Sequence, residues 1–250
     1  MKRTAFACLI AVAVPASLAA AGISVLSTNA IRAPLVVLAA AHQKQTGNEV
    51  TIQFDTSTSI ARRLAKGESA DVIITTPAGA DDLIKNGTAI AGSRVHIGKV
   101  PVGVAIRKGA RRPDISSVAA LKASILQADA VIYSQGASGI YTEKMLRDLG
   151  LADQVKGKTA QLLTGADMVT RLETSRGNEI GFTQVSELID AQSHGGITLV
   201  GPLPREVQYY TLFDAVVMSG AASPDAARAF VRTLTAPATR TALAANGWEF

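Results

Sequence analysis

Ala130-Val131-Ile132-Tyr133-Ser134-Gln135-Gly136-Ala137-Ser138-Gly139 is a short apolar run that empties into hydroxyl, amide and glycine residues. The first four have the content of a buried strand, while Met145 and Leu149 continue beyond the turn at helical spacing. Ser138 is placed to cap that helix. The same order recurs along the chain. Residues 23–26 lead into Ser27-Thr28-Asn29, residues 50–54 into Asp55-Thr56-Ser57-Thr58-Ser59, and residues 72–74 into Thr75-Thr76-Pro77. Leu162-Leu163 precedes Thr164-Gly165-Ala166-Asp167, and Ile180-Gly181-Phe182 precedes Thr183-Gln184.

In open α/β sheets, ligands sit beyond the carboxyl ends of strands. The helices that start there offer free N–H groups and a partial positive charge, which favour an anion. A rim of hydroxyls, amides and backbone donors with few fixed cations therefore predicts a binding cleft for a small anion. It does not predict a catalytic centre.

The periodicity gives strands at 23–28, 49–54, 71–75, 130–134, 159–163, 179–183 and 197–200. Helices are expected at 31–46, 59–67, 78–87, 116–127, 138–149, 166–176, 184–191, 223–235 and 237–246. Two stretches, 95–107 and 207–218, are extended without helical periodicity. Two βα series joined by such segments imply two α/β lobes, with chain crossovers near 100–107 and 204–213. The expected division is 22–103 with 211–250 for the first lobe and 104–210 for the second. No linker rich in Gly, Pro or Ser separates them.

Lys2 and Arg3 precede an apolar run that ends in small residues near Ala19 and Ala21, the pattern of a cleaved secretory signal over 1–21. Cys8, the single cysteine of 250 residues, falls inside that run, so the exported chain would have neither disulfide nor thiolate chemistry. Removing two bases lowers the net charge from +5 to +3, with the remaining Lys and Arg dispersed. Aromatics at 4% and the absence of a basic stripe exclude a nucleic-acid surface.

Other chemistries find little support. Gly136-Ala137-Ser138-Gly139-Ile140 lacks the last glycine of a nucleophile elbow, and a serine hydrolase built on Ser138 would need Asp167 or Asp190 with His194, which lies in a polar turn. His42, His96 and His194 have no metal-ligand spacing, and no phosphate-binding loop of nucleotide hydrolases occurs, so neither metal nor cofactor is expected. Asp81-Asp82 fits a solvated helix start. Arg32 and Arg62-Arg63 fit exposed helix charges, though any of them could grip a carboxylate.

Several stretches carry a resemblance. They are residues 23–47, residues 54–64 followed by Ala70-Asp71-Val72-Ile73-Ile74, Ser138-Gly139-Ile140-Tyr141, residues 165–172, and Ser223-Pro224-Asp225-Ala226-Ala227-Arg228-Ala229-Phe230. Together they resemble the periplasmic molybdate-binding proteins of ABC importers, a branch of the type II solute-binding proteins, over essentially all of 23–250. The resemblance implies a two-lobed periplasmic protein, each lobe a mostly parallel sheet flanked by helices, closing on its ligand by a hinge at two crossover strands. It implies a monomer that delivers a small anion to a membrane permease; a sensor subunit for a membrane receptor would use the same closure. In that family hydroxyls and backbone N–H groups hold the oxyanion. A family serine falls on Ala30, leaving Thr28 or Asn29 to stand in. A second falls on Ser57, a main-chain donor loop on Ser138, another main-chain position on Met168, and a hydroxyl-donating tyrosine on Gln184. With Thr76 and Gly139 from the strand-end pattern, these form the candidate site. Asn29, Gln135 and Gln184 bring acceptor oxygens as well as donors, which favours an organic carboxylate over molybdate or tungstate.

Overall fold

The computed structural model describes residues 22–250, so the expected signal segment lies outside the described residues. The strands are β1 (Ile23–Thr28), β2 (Val50–Asp55), β3 (Val72–Thr75), β4 (Val95–Arg107), β5 (Ala130–Ser134), β6 (Thr159–Leu162), β7 (Glu179–Gln184), β8 (Ile197–Pro202) and β9 (Tyr210–Val217). The helices are α1 (Arg32–Thr46), α2 (Ser57–Ala65), α3 (Pro77–Lys85), α4 (Val118–Gln127), α5 (Ala137–Asp148), α6 (Ala152–Val155), α7 (Gly165–Glu173), α8 (Val185–His194), α9 (Pro224–Thr233) and α10 (Pro237–Ala245). The short α6 has no counterpart in the sequence reading. The first helix is preceded by a 3₁₀ turn at Asn29–Ile31, so its α-helical part begins at Arg32.

The strands run β2-β1-β3-β9-β4-β7-β5-β6, with β8 also paired to β4. β1 is parallel to β2 and β3, and β5 is parallel to β6 and β7. The two extended stretches of the sequence are β4 and β9, both antiparallel to their neighbours. β4 belongs to both halves. Val95–Pro101 pairs with β9, whereas Val102–Ala105 pairs with β7 and Gly103–Arg107 with β8. The change of partners falls at Pro101, a residue with no N–H to give to a ladder.

The second crossover is fastened to the first at that same point. The Gln208 side chain accepts from Val102 N at 3.0 Å and donates to Val102 O at 3.1 Å, so its amide pairs with β4 as a strand residue would. Nearby, Gln184 Nε2 donates to Thr211 Oγ1 at 2.8 Å, tying the end of β7 to β9.

Each half buries its own core. In the first, Ile31, Leu35, Ile74, Phe213, Phe230 and Trp248 pack together, with Trp248 against the Phe213 ring at 5.2 Å. In the second, Val104, Leu121, Ile125, Val131 and Phe182 do so. Helix α8 bridges them, because Val185 and Ile189 pack on the first core although the helix follows β7.

Asp71 fastens the start of β3 to its surroundings. Its carboxylate accepts from Ser24 N at 2.7 Å, Ser24 Oγ at 2.6 Å and Ala222 N at 2.8 Å. Burial alone would raise its pKa, but these bonds outweigh that effect and hold it below the usual 3.8. Its stabilising contribution is therefore present above that ordinary value and fades as pH falls through the depressed one. Asp71→Ala is expected to cost roughly 3 kcal/mol at pH 7, since bonds to a charged group are lost and buried donors are left unpaired. Denaturant melts should show the gap to the wild type closing as the solution is taken to pH values below the ordinary carboxylate range.

Candidate functional site

Where the sheet halves face each other, the strand-end loops converge. A cavity of about 30 Å³ is lined by Thr28, Asn29, Ala30, Asp55, Thr56, Ser57, Ser134, Gly136, Ala137, Ser138, Gly165, Gln184, Glu187 and Phe213. It opens beside a groove of about 270 Å³ that shares Asn29, Ala30, Gly165 and Glu187 with it and extends to Arg32, Thr170, Ser186 and His194. The halves nearly touch here, with Thr58 Oγ1 donating to Gln135 O at 3.4 Å. A cavity this small holds a water or two, so a larger ligand enters only when the halves part.

Two of the helices that start on this cavity lack a side-chain cap. The N-cap of α5 is Gly136 and that of α8 is Gln184, and neither side chain bonds its helix. In α5 Gly139 N–H turns back to Gly136 O, so the N–H groups of Ala137 and Ser138, with those that open α8, are left to a ligand or to water. By contrast, the Thr56 hydroxyl accepts from Ser59 N at 3.2 Å, and Thr164 forms a capping box with Asp167.

Five of the eight residues singled out from the sequence line this cavity: Thr28, Asn29, Ser57, Ser138 and Gln184. Thr28 Oγ1 and Gln184 Oε1 are buried with no protein partner among the described residues. Unpaired buried polar atoms are costly unless something else bonds them. The Thr211 hydroxyl donates as readily as it accepts, so the Gln184 amide can present oxygen or nitrogen to the cavity.

The other three do not line it. The Thr76 hydroxyl caps α3, accepting from Gly79 N at 3.4 Å. The Met168 side chain is buried with Ile132, Leu172 and Leu188, and its N–H donates to Thr164 O. Gly139 N–H donates to Gly136 O, and a Cβ on Gly139 would lie 1.6 Å from Ser134 O. Gly139 lets α5 start against the end of β5, because only a residue without a side chain can approach so closely.

Ser138 Oγ lies 3.5 Å from Thr183 Oγ1, while His194 lines the outer groove rather than the cavity. Arg32 donates to Asn29 Oδ1 at 2.8 Å and lies over the Phe54 ring at 4.1 Å, which places this cation at the mouth of the groove. Arg63 is engaged with Asp55 and Glu68, and Asp81 pairs with Arg94 rather than standing free as a helix charge. Among the described residues, no three His, Cys, Asp or Glu side chains come close enough to hold a metal ion. Nor is any described helix long and apolar enough to cross a membrane.

The residue that the sequence reading passed over is Glu187. It stands in the first turn of α8 and lines both the cavity and the groove. Its Oε2 accepts from Thr183 Oγ1 at 3.2 Å and rests on Gly165, where a Cβ would come within 1.7 Å of it. The residue keeps some exposed surface, but its carboxyl is enclosed. Burial pushes the pKa up from 4.5 to about 7, against the Thr183 bond and the nearby Arg32 charge, which pull it down. The available signal was the spacing. An acid four residues after Thr183, at a strand end already marked as a site, falls on the inner face of its helix.

The folded protein holds the Glu187 proton more tightly than the unfolded chain does. Stability therefore falls as pH rises from about 4.5 to about 7. Glu187→Gln is expected to melt at a higher temperature than the wild type at pH 8, with the two converging near pH 4, as calorimetry would show. Gly165→Ala should leave the fold intact, because the atom it displaces is the end of a flexible side chain. It should drive the Glu187 carboxyl from its seat, and a Glu187 titration midpoint moving towards 4.5 would report this.

Residues 23–249 match the family model of the bacterial extracellular solute-binding proteins. The chain is 33% identical over 217 residues to an aconitate isomerase from a Pseudomonas species, covering 85% of this chain and 81% of that protein. Its fold is similar to that of the periplasmic molybdate-binding protein of Azotobacter vinelandii, with a TM-score of 0.76, 18% identity, and 91% and 99% of the two chains covered. A sulfate-binding protein of Mycobacterium tuberculosis follows at TM-score 0.74 and 15% identity over 91% and 86%. At such identities these structures speak for the fold alone: the two-lobed, type II periplasmic binding protein with a mostly parallel sheet in each lobe and two crossover strands. Fold and family model agree, and the chain belongs to the bacterial extracellular solute-binding protein family.

Proposed function

We propose that this protein captures a small organic polycarboxylate between its lobes, in the periplasm, and presents it to the membrane permease of an ABC importer. One observation carries the choice of ligand: the cavity wall mixes donors with acceptors. Ser57, Ser138 and the uncapped starts of α5 and α8 supply hydrogens, while Gln184 Oε1 and the Glu187 carboxyl supply lone pairs. A fully ionised tetrahedral oxyanion has no hydrogen to give such acceptors. A carboxylic acid with several functional groups can satisfy both kinds. The name of the Pseudomonas relative, an enzyme of the tricarboxylate aconitate, supports the same class.

In this reading Thr28, Asn29, Ser57, Ser138, Gln184 and Glu187 contact the ligand. Thr76, Gly139 and Met168 shape the loops behind them. Residues 22–103 with 211–250, and residues 104–210, move as two bodies about the Val102–Gln208 junction. The Arg32 guanidinium at the groove mouth suits a second carboxylate.

A second reading follows from Glu187 together with that relative's name. A carboxyl titrating near 7 can act as base and then as acid. It could remove a proton from a carbon flanked by the ligand's carboxylate and return it at another carbon, shifting a double bond with no cofactor. The protein would then be an isomerase built on a binding-protein fold.

A thermal-shift and calorimetric panel of cis-aconitate, trans-aconitate, citrate, molybdate and sulfate tests the first reading, since a ligand of the folded state raises apparent stability. Ser57→Ala should weaken carboxylate binding by about one to two decades. Tight molybdate binding with silent carboxylates would overturn the proposal. Conversion of cis- into trans-aconitate that is lost in Glu187→Gln would establish the second reading.

A further inference from the structure

Glu187 is an acid in the wall of a site whose other features attract anions. Its carboxyl lies between Thr183 Oγ1 and the first residue of α7, and it separates the small cavity from the outer groove. Arg32, from α1, draws it towards ionisation, and Asp190, one turn along α8, opposes this. From α7, Glu173 borders the same groove, with His194 at the end of α8. On the β2 side the Asp55 carboxylate is already engaged by Thr56 N and Arg63. Among the described residues Arg32 is thus the only arginine or lysine lining either space, while Asp55, Glu173, Glu187 and Asp190 all do so.

An anion placed at the starts of α5 and α8 would sit beside this carboxyl. Two like charges that close cannot both remain ionised in a site with little water. A carboxylic acid and a carboxylate solve the problem by holding one proton between them, in a short O–H···O⁻ bond about twice as strong as a neutral one. Sulfate, the anion of a much stronger acid than a carboxylic acid, competes less well for that shared proton.

We propose that Glu187 is the specificity-determining residue of the cleft: it shares one proton with a carboxylate of the bound ligand, so capture takes up a proton and favours carboxylates over strong-acid oxyanions. This rests on the carboxylate-capture reading for its ligand, and on the position of Glu187 for its mechanism. The raised affinity of the empty site for a proton fits it, since the carboxyl is already half protonated near neutrality.

The test is calorimetry on the purified exported chain, with trans-aconitate, citrate, sulfate and molybdate, in buffers of different ionisation enthalpy from pH 6 to 9. For the wild type, carboxylate binding should take up close to one proton at pH 8, and affinity should fall about tenfold per pH unit above 7. Glu187→Gln should bind with no proton uptake and no such slope. Its preference for carboxylates over sulfate should shrink about tenfold or more. No proton uptake by the wild type, or an unchanged slope in Glu187→Gln, overturns the inference. If carboxylates bind neither protein, the capture reading fails and the preference attributed to Glu187 fails with it; if they bind the wild type without proton uptake, the capture reading stands and the inference alone is overturned. A direct NMR titration of the Glu187 carboxyl in the ligand-free protein tests the proton-sharing mechanism separately. A midpoint at the ordinary carboxylate value overturns the inference, and one near neutrality supports it.

Discussion

The architecture depends on one strand serving two sheets. β4 leaves β9 at Pro101 and enters the space between β7 and β8 at Val102, and the Gln208 amide clasps that residue from the returning chain. Because both crossovers meet there, the two halves are joined through one short, hydrogen-bonded junction. The strand ends of both halves must then face the same space. Everything that lines the cleft follows from this, since helices entered from those strands direct their first turns inward. The bridging helix α8 adds a second constraint, for it leaves the end of β7 in one half and packs Val185 and Ile189 on the core of the other.

Most of this organisation is legible in the residues. Apolar runs ending in hydroxyls and amides mark where strands stop, and the two stretches without helical periodicity are the crossovers. What the pattern does not say is which rim residue points into the cleft. Thr56, Thr76 and Thr164 look like ligand donors, yet each spends its oxygen on its own helix. That choice depends on side-chain direction at the first turn, which periodicity leaves open. Met168 illustrates a related limit: as a main-chain candidate its N–H is already taken by Thr164 O, while its side chain faces the core.

Glu187 escaped for a different reason. In sequence it is an acid in the first turn of a helix, where negative charge is common because it complements the helix dipole. Its spacing from Thr183 marks it as facing the site, but not as enclosed by a neighbouring helix start. Its environment comes from Gly165 and Thr183, which arrive from other elements. A buried carboxyl that costs stability at neutral pH is the kind of local conflict that concentrates at functional sites.

The pairing of Trp248 with Phe213 has an optical consequence. The chain contains one tryptophan, and its buried indole touches a phenylalanine whose ring also borders the cavity. All indole emission therefore originates one side chain away from the cavity. Any rearrangement of Phe213 alters the packing and polarity around that single fluorophore, without dilution by other tryptophans. The fold thus supplies its own label-free reporter, through which opening and closing could be followed in real time by stopped-flow fluorescence.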